Sequence, residues 1–246
     1  MNQMMRNKPA LFYASDRVRA TALKGSEHRL VVSFTGVGKP DTREQTEEFV
    51  NTSHMGGRNH VLFVADTLRS WYNTPGTHEE ILDLVESYKR THRIKEVVTF
   101  GNSMGGYGAI IFAGALGATS CLSFSAQYSA DPKTVPEEER WMEYRSKITH
   151  FTRPPMETTL NEDCTYFVVH GGGDREKPHW SRFPRANNFN HYLADQVGHA
   201  LGKKMKAAGK IEAITHCAIL GRPVAFRRNL REVFTNLRRV EKNKTA

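Results

Sequence analysis

The sequence has little of what marks disulfide-rich, zinc-binding or membrane proteins. Its three cysteines, Cys121, Cys164 and Cys217, are scattered and form no CxxC pair. We therefore expect reduced thiols, a cytoplasmic protein and no metal site. No run of about 18 apolar residues is present, so we expect no membrane-spanning helix. The first residues also lack the continuous apolar region of a signal peptide.

Complete phosphate-binding glycine loops are missing as well. A P-loop needs lysine directly after the last glycine of GxxxxG, and Tyr107 stands at that position. The turn at Gly36 and Gly38 has Asp41 where a dinucleotide-binding fingerprint needs its third glycine. The sequence therefore predicts neither a bound nucleotide nor another cofactor.

The formal net charge of +9 comes from basic residues that are spread along the chain. No basic motif is interleaved with aromatic residues, so nucleic acid is not an expected partner. An anionic small-molecule substrate remains compatible with this charge. Because no linker or shift in composition divides the chain, we expect one domain over residues 1–246.

Short β-branched and apolar runs alternate with helical patterns along most of the chain. The predicted strands are 11–14, 29–34, 60–65, 96–100, 119–125, 165–170 and 188–194, and the predicted helices are 42–53, 77–90, 105–116, 198–208 and 227–240. This alternation predicts an α/β fold, a three-layer sandwich with a mostly parallel sheet of about six to eight strands and helices on both faces. The rhythm breaks over 126–163, where a helix at 137–148 predicts a small lid or rim insertion.

One short motif carries the strongest chemical signal. Residues 101–105 match G-x-S-x-G, with Ser103 between a predicted strand and a predicted helix. A serine on such a strained turn needs glycine two residues to either side, because the helix and the neighbouring strand approach it closely. The motif therefore predicts an exposed nucleophilic hydroxyl at the carboxyl edge of the sheet.

A serine nucleophile requires a general base and an acid that orients the base. Asp174 follows one late strand and His199 follows the next, so both are expected at the carboxyl edge of the sheet. The predicted catalytic set is Ser103, His199 and Asp174. Other positions stay open, namely His170, His179 and His191 for the base and Asp131 and Asp195 for the acid.

The negative charge formed during acyl transfer needs backbone N–H donors. Met104, directly after the serine, is expected to supply one donor. Gly36 or Val37, in the turn after an early strand, is expected to supply the other. The HGGG sequence at 170–173 follows the serine in the chain, so we assign its glycines to the loop of the acid.

Aromatic residues are concentrated in one loop after a predicted strand. Arg69, Trp71 and Tyr72 lie there, and Trp180 follows the acid loop. A surface loop seldom carries Trp and Tyr together, so we expect a wall of the substrate pocket, with Arg69 pairing with an anionic group. The alternative is a packing corner against the insertion.

With these motifs, the sequence from 29 to about 237 resembles the α/β-hydrolase superfamily. The strand ending at Asp66, the R-S-W-Y-N loop at 69–73 and the GNSMGGYGA elbow at 101–109 are similar to serine-hydrolase-like proteins often associated with bacterial surface-polysaccharide genes. The resemblance implies a serine esterase that cleaves an ester, such as an acylated carbohydrate, through an acyl-enzyme. Acyl transfer by the same residues, or a non-catalytic carbohydrate-binding or assembly protein, are the alternatives.

Overall fold

A computed structural model describes residues 8–38, 42, 44–153 and 155–241 of the chain. Its strands form one sheet in the order β1-β2-β4-β3-β5-β6-β7-β8-β9. The strands are β1 Ala10–Ala14, β2 Val18–Leu23, β3 Arg29–Phe34, β4 His60–Asp66, β5 Glu96–Asn102, β6 Ser120–Phe124, β7 Thr165–Gly171, β8 Phe189–Ala194 and β9 Leu237–Arg239.

The predicted α/β sandwich with a mostly parallel sheet is confirmed. Strands β3 to β8 pair in parallel, while β1, β2 and β9 pair antiparallel at the two edges. The described sheet has nine strands instead of six to eight, because the sequence pattern predicts neither β2 nor β9. Because β3 to β8 pair in parallel, the carboxyl ends of β3, β5, β6, β7 and β8 lie at one edge of the sheet.

Helices cover both faces of this sheet. They are α1 Val50–His54, α2 Thr77–His92, α3 Met104–Ala113, α4 Met142–Arg145, α5 Lys177–Trp180, α6 Leu201–Ala207, α7 Ile211–Ile219 and α8 Pro223–Val233. One core packs α2 and α3 against the sheet, and the other packs α6, α7 and α8. Along β3, Leu30 and Val32 face the first core and Val31 faces the second, as strand alternation requires.

Two predicted helices are much shorter than expected. In the described part of the predicted helix 42–53, only the residues that belong to α1 are helical, and Phe49 before α1 has a left-handed φ of 56°. The predicted helix 137–148 is reduced to α4, because Trp141 has a φ of 57°. Arg145 donates to the carbonyl oxygens of Ala130 and Glu138, which stabilises this irregular backbone.

The end of the chain also differs from the prediction of one helix over 227–240. Helix α8 ends at Val233, and Phe234 after it is extended. The next residues form β9, which pairs antiparallel with β8. The side chain of Arg239 donates to Asn190 at 2.9 Å, which links β9 to the sheet edge.

Among the described residues, no helix is both long and apolar enough to cross a membrane. The assignment of 1–246 to a single domain stays a prediction, and 1–7 and 242–246 lie outside the described residues. The segment 126–163, described except for residue 154, contains α4 and a 3₁₀ turn, Met156–Thr159.

Candidate active site

Ser103 lies at the sharp turn between β5 and α3. Its backbone has φ 59° and ψ −125°, a conformation that L-residues rarely adopt. A Cβ atom at Gly105 would lie 2.1 Å from the carbonyl oxygen of Phe34, so only glycine lets α3 approach β3 this closely. The Ser103 N–H donates to the Phe124 carbonyl at 2.8 Å, which fixes the turn against β6.

The hydroxyl of Ser103 has two side-chain partners. Its Oγ lies 3.0 Å from Nε2 of His199, which stands in the loop between β8 and α6. On the other side, Nε2 of Gln127 donates to the same Oγ at 3.2 Å. Ser103 is 6% exposed, and the His199 side chain is 30% exposed, so the pair is reachable from solvent.

The carboxylate beside His199 belongs to Glu176 and not to the predicted Asp174. Glu176 Oε2 lies 3.3 Å from His199 Nδ1, and the Glu176 side chain is 1% exposed. Asp174 is exposed and, among the described residues, forms no hydrogen bond or ion pair with His199. Because a carboxylate only accepts, Nδ1 carries the proton and Nε2 is left to accept from the Ser103 hydroxyl.

The backbone between β7 and α5 explains why Glu176, and not Asp174 two residues earlier, lies beside His199. The Glu176 N–H donates to the Gly173 carbonyl at 3.0 Å, a turn that brings Glu176 back toward the sheet. A Cβ at Gly171 would lie 2.1 Å from the carbonyl oxygen of Val197, in the loop that carries His199. The glycines of the HGGG sequence therefore let the two loops pack together.

A buried ion-pair network continues from Glu176 into the insertion. Arg140 Nη1 lies 2.6 Å from Glu176 Oε1, and Arg140 Nη2 lies 2.6 Å from Glu138 Oε2. Burial alone would raise the pKa of Glu176, but the His199 hydrogen bond and the Arg140 charge outweigh it and lower the pKa to about 2. Glu176 is therefore an ionised carboxylate at neutral pH.

The alternative bases and acids lie elsewhere in the structure. His170 Nδ1 is 2.9 Å from His191 Nε2, and burial lowers the pKa of His170 to about 4. His179 Nε2 contacts Glu138 at 2.7 Å. The Asp131 carboxylate accepts from the Lys133 N–H at 2.9 Å, and Asp195 pairs with Arg238 at 3.0 Å.

Of the three backbone N–H groups predicted to bind the oxyanion, that of Gly36 already donates to another group. Met104 begins α3, so its N–H lies in the first turn, where no intrahelical carbonyl is available. The Gly36 N–H instead donates to Glu48 Oε2 at 3.2 Å, and the Val37 carbonyl accepts from Arg69. Burial raises the pKa of the Glu48 carboxyl above its usual value, although hydrogen bonds from Gly36 and Asn102 oppose the rise.

Because an ionised Glu48 would repel an oxyanion that forms near the Gly36 N–H, we expect Glu48→Gln to react faster with acylating agents. The glutamine oxygen can still accept from Gly36, but the neutral amide does not repel the oxyanion, so a gain of about fivefold is expected from the lost charge. The difference should grow as pH rises, since Glu48 ionises and the amide does not. The measurement is the rate of active-site labelling against pH, with Glu47→Gln as the control, and a slower Glu48→Gln variant contradicts the prediction.

The predicted anion-binding role of Arg69 does not match its surroundings. The side chain is 7% exposed, and its Nε and Nη2 donate to the carbonyl oxygens of Val37 and Thr42 at 2.8 and 2.9 Å. Its guanidinium carbon also lies 5.1 Å from the ring centroid of Tyr144 in the insertion. Arg69 therefore stabilises the turn after β3, because it donates to carbonyl groups that would be costly to bury without a hydrogen bond.

Trp71 and Tyr72 form the packing corner and not an exposed wall. Both are 0% exposed. The Tyr72 ring packs edge-on against Phe34, and a Cβ at Gly108 would lie 2.6 Å from it. Trp71 Nε1 donates to Gln127 Oε1 at 3.0 Å, so this residue reaches the serine indirectly.

The structure also does not place Trp180 in the predicted wall of the substrate pocket. Trp180 is half-buried at the end of α5, with its ring 6.0 Å from the guanidinium carbon of Arg238. The aromatic ring that lies beside the base is Trp141, 5.5 Å from the His199 ring. Sequence reasoning missed Trp141 because the pattern placed it in a helix, and missed Glu176 because two acids stand in one loop.

A cavity of about 670 Å³ opens beside His199 and Asn102. Lys203 and Lys206 of α6 line it, together with the carboxylates of Glu48 and Glu212 and apolar groups such as Phe49. Among the described residues, no group of three or more His, Cys, Asp and Glu side chains could hold a metal ion.

Comparisons with known proteins identify the fold. The chain matches no protein-family model, and no curated protein sequence gives a significant match. The capsule O-acetyltransferase of Neisseria meningitidis serogroup A aligns with 86% of this chain and 96% of its own, at 12% identity and a TM-score of 0.60. S-formylglutathione hydrolase of Staphylococcus aureus aligns with 87% of this chain and all of its own, at 15% identity and a TM-score of 0.54.

A third similar structure is longer than this chain. The Glycosylation Associate Protein (Gap123) complex from Streptococcus agalactiae aligns with 90% of this chain at 13% identity and a TM-score of 0.57. This chain spans 46% of that one. At these identities the likeness concerns the backbone, and the chain therefore has the α/β-hydrolase fold.

Proposed function

We propose that this protein is a serine enzyme that cleaves an ester through an acyl-enzyme. The observation that carries the proposal is the hydrogen-bonded chain from Ser103 Oγ through His199 to Glu176, at 3.0 and 3.3 Å. A serine hydroxyl becomes nucleophilic when a histidine accepts its proton and a carboxylate stabilises the resulting imidazolium.

The reaction follows from these positions. Ser103 Oγ attacks the carbonyl carbon of the ester while its proton passes to His199 Nε2, and the electron pair of the carbonyl bond moves to oxygen. The Met104 N–H is the donor expected to stabilise this oxyanion. When the C–O bond breaks, the leaving alcohol takes the proton from His199, and water later attacks the acyl-enzyme in the same way.

The substrate class is proposed from the site and from the structural neighbours. One neighbour is a capsule O-acetyltransferase and another a glycosylation-associated protein, which favours an acylated carbohydrate. The cavity beside His199 is open and lined by both charged and apolar groups, which suits a polar substrate better than a buried lipid. We therefore place the acyl group on a sugar hydroxyl.

Acyl transfer is the second candidate, because Lys203 and Lys206 line the cavity. Ammonium groups there would attract an anionic acyl donor such as a thioester of CoA. A mutant of the capsule O-acetyltransferase is known in complex with CoA, which supports considering the same donor here. A sugar hydroxyl would then replace water as the acceptor of the acyl group.

Product analysis tests the proposal and separates these two reactions. The purified protein is incubated with O-acetylated oligosaccharides, and in parallel with acetyl-CoA and the unacetylated oligosaccharides. Acetate release that is lost in Ser103→Ala supports hydrolysis, and a sugar mass gain of one acetyl group supports transfer. If wild type and Ser103→Ala give equal products in both reactions, the proposal fails.

A further inference from the structure

We infer that Gln127 is a catalytic residue of the proposed reaction, a side-chain donor to the nucleophile that Trp71 holds in place. This inference rests on the proposed function, because it assigns a role at the same serine. Gln127 stands three residues after the end of β6 and is 1% exposed. Its Nε2 donates to Ser103 Oγ at 3.2 Å.

The orientation of the Gln127 amide follows from its other contact. An indole nitrogen is only a donor, so Trp71 Nε1, at 3.0 Å, selects the Gln127 oxygen as its acceptor. The Gln127 NH₂ group is then left to face Ser103. Because Trp71 and Gln127 are both buried, water does not compete for either hydrogen bond.

This donor would act on the oxygen that changes its bonding in both halves of the reaction. With Gln127 donating to one lone pair and His199 accepting the proton, the Ser103 hydroxyl has one lone pair free to attack. As the proton leaves, negative charge grows on Oγ and strengthens the Gln127 hydrogen bond. In deacylation Oγ is the leaving atom, and the same N–H stabilises its departure.

The hydrogen bond from Trp71 to Gln127 also gives the R-S-W-Y-N loop a role that differs from the substrate wall expected from the sequence. Asp66 Oδ2 accepts from the backbone N–H groups of Ser70 and Tyr72, each at 2.8 Å. These bonds hold the loop in the conformation that aims Trp71 at Gln127. The loop is therefore a second support for the serine, in addition to His199.

The experiment measures the second-order rate of fluorophosphonate labelling for wild type and three variants. We expect Gln127→Leu to react about tenfold more slowly, since one hydrogen bond to a developing charge is lost. Trp71→Phe keeps an aromatic ring but frees the amide to turn, so about threefold slower labelling is expected. Thermal unfolding and near-ultraviolet circular dichroism establish that each variant is folded.

Gln127→Glu separates a donor role from a structural one. An ionised glutamate can still accept from Trp71 but cannot donate to Ser103, so labelling should be slow above the pKa of the introduced carboxyl, which burial raises. When the carboxyl is protonated it donates again, and the ratio of variant to wild-type rates should rise as pH falls. A folded Gln127→Leu that labels as fast as wild type, or a pH-independent ratio for Gln127→Glu, overturns the inference and leaves the proposed function standing. If wild type itself does not label, the proposed function fails and the inference with it.

Discussion

Replacing Glu176 with glutamine is expected to lower the rate of ester cleavage about a thousandfold. The amide removes the negative charge that stabilises protonated His199. Its NH₂ group can also donate to Nδ1, which favours the tautomer with the proton on Nε2, where it blocks transfer from Ser103. Steady-state hydrolysis of a short-chain nitrophenyl ester measures the effect.

Asp174→Asn is the matched control for that variant. Asp174 lies two residues earlier in the same loop and is exposed, so its variant should retain the wild-type rate within about twofold. The opposite pattern, with Asp174→Asn slow and Glu176→Gln fast, would restore Asp174 as the acid. That result would contradict the network described for Arg140 and Glu176.

Replacing Arg140 with methionine is expected to lower the free energy of unfolding by about 3 kcal/mol, because Glu138 and Glu176 would be left buried without their cation. The side chains of the two glutamates are 3% and 1% exposed. Arg182→Met is the control, since Arg182 pairs with Glu137 at an exposed position and should change stability by about 0.5 kcal/mol or less. Denaturant unfolding measures both values.

Arg140→Met should also alter how the free energy of unfolding depends on pH. Burial would raise the pKa values of Glu138 and Glu176, but the ion pairs with Arg140 and the hydrogen bonds from His179 and His199 outweigh it and lower both values to about 2, from 4.5. The stability from these depressed values is present above about pH 4.5 and is lost as pH falls toward 2. Without Arg140 both pKa values rise, so we expect acid unfolding at higher pH. An unchanged acid-unfolding midpoint would contradict this role of Arg140.

Much of the fold is predictable because buried parallel strands are continuous apolar runs. RLVVSF of β3 and HVLFVA of β4 contain few polar residues, and their type follows from composition alone. Strand β9, with the sequence LRR, carries no such signal and depends on its pairing with β8. Strand β2 is not predicted for a similar reason. Its sequence, VRATAL, alternates only weakly between apolar and polar residues, and β2 lies near an antiparallel edge of the sheet.

The candidate site is predictable where local geometry dictates residue type. The glycine spacing around Ser103 reflects the close approach of the start of α3 to its own turn and to β3, and strand order brings His199 to the same edge of the sheet. Glu176 could not be chosen over Asp174, because a tertiary contact between two loops decides which carboxylate turns inward. Arg140 reaches the acid from the insertion, and no local pattern encodes that ion pair.

The aromatic loop shows a different limit of sequence reasoning. Trp71 and Tyr72 could line a pocket or fill a core, and composition does not distinguish these outcomes. The deciding contacts come from residues distant in the chain, Gln127 for Trp71 and Gly108 for Tyr72. The signal that was available for Gln127 is its position in the loop after β6, at the edge where reactive groups gather.

The intact mass of the folded protein after fluorophosphonate treatment shows directly whether Ser103 is an activated nucleophile. We expect a single adduct on wild type, no adduct on Ser103→Ala, and slow labelling of His199→Ala and Glu176→Gln. Folded wild-type protein that gains no mass at neutral or mildly alkaline pH would contradict an activated Ser103, as would an equal adduct on Ser103→Ala.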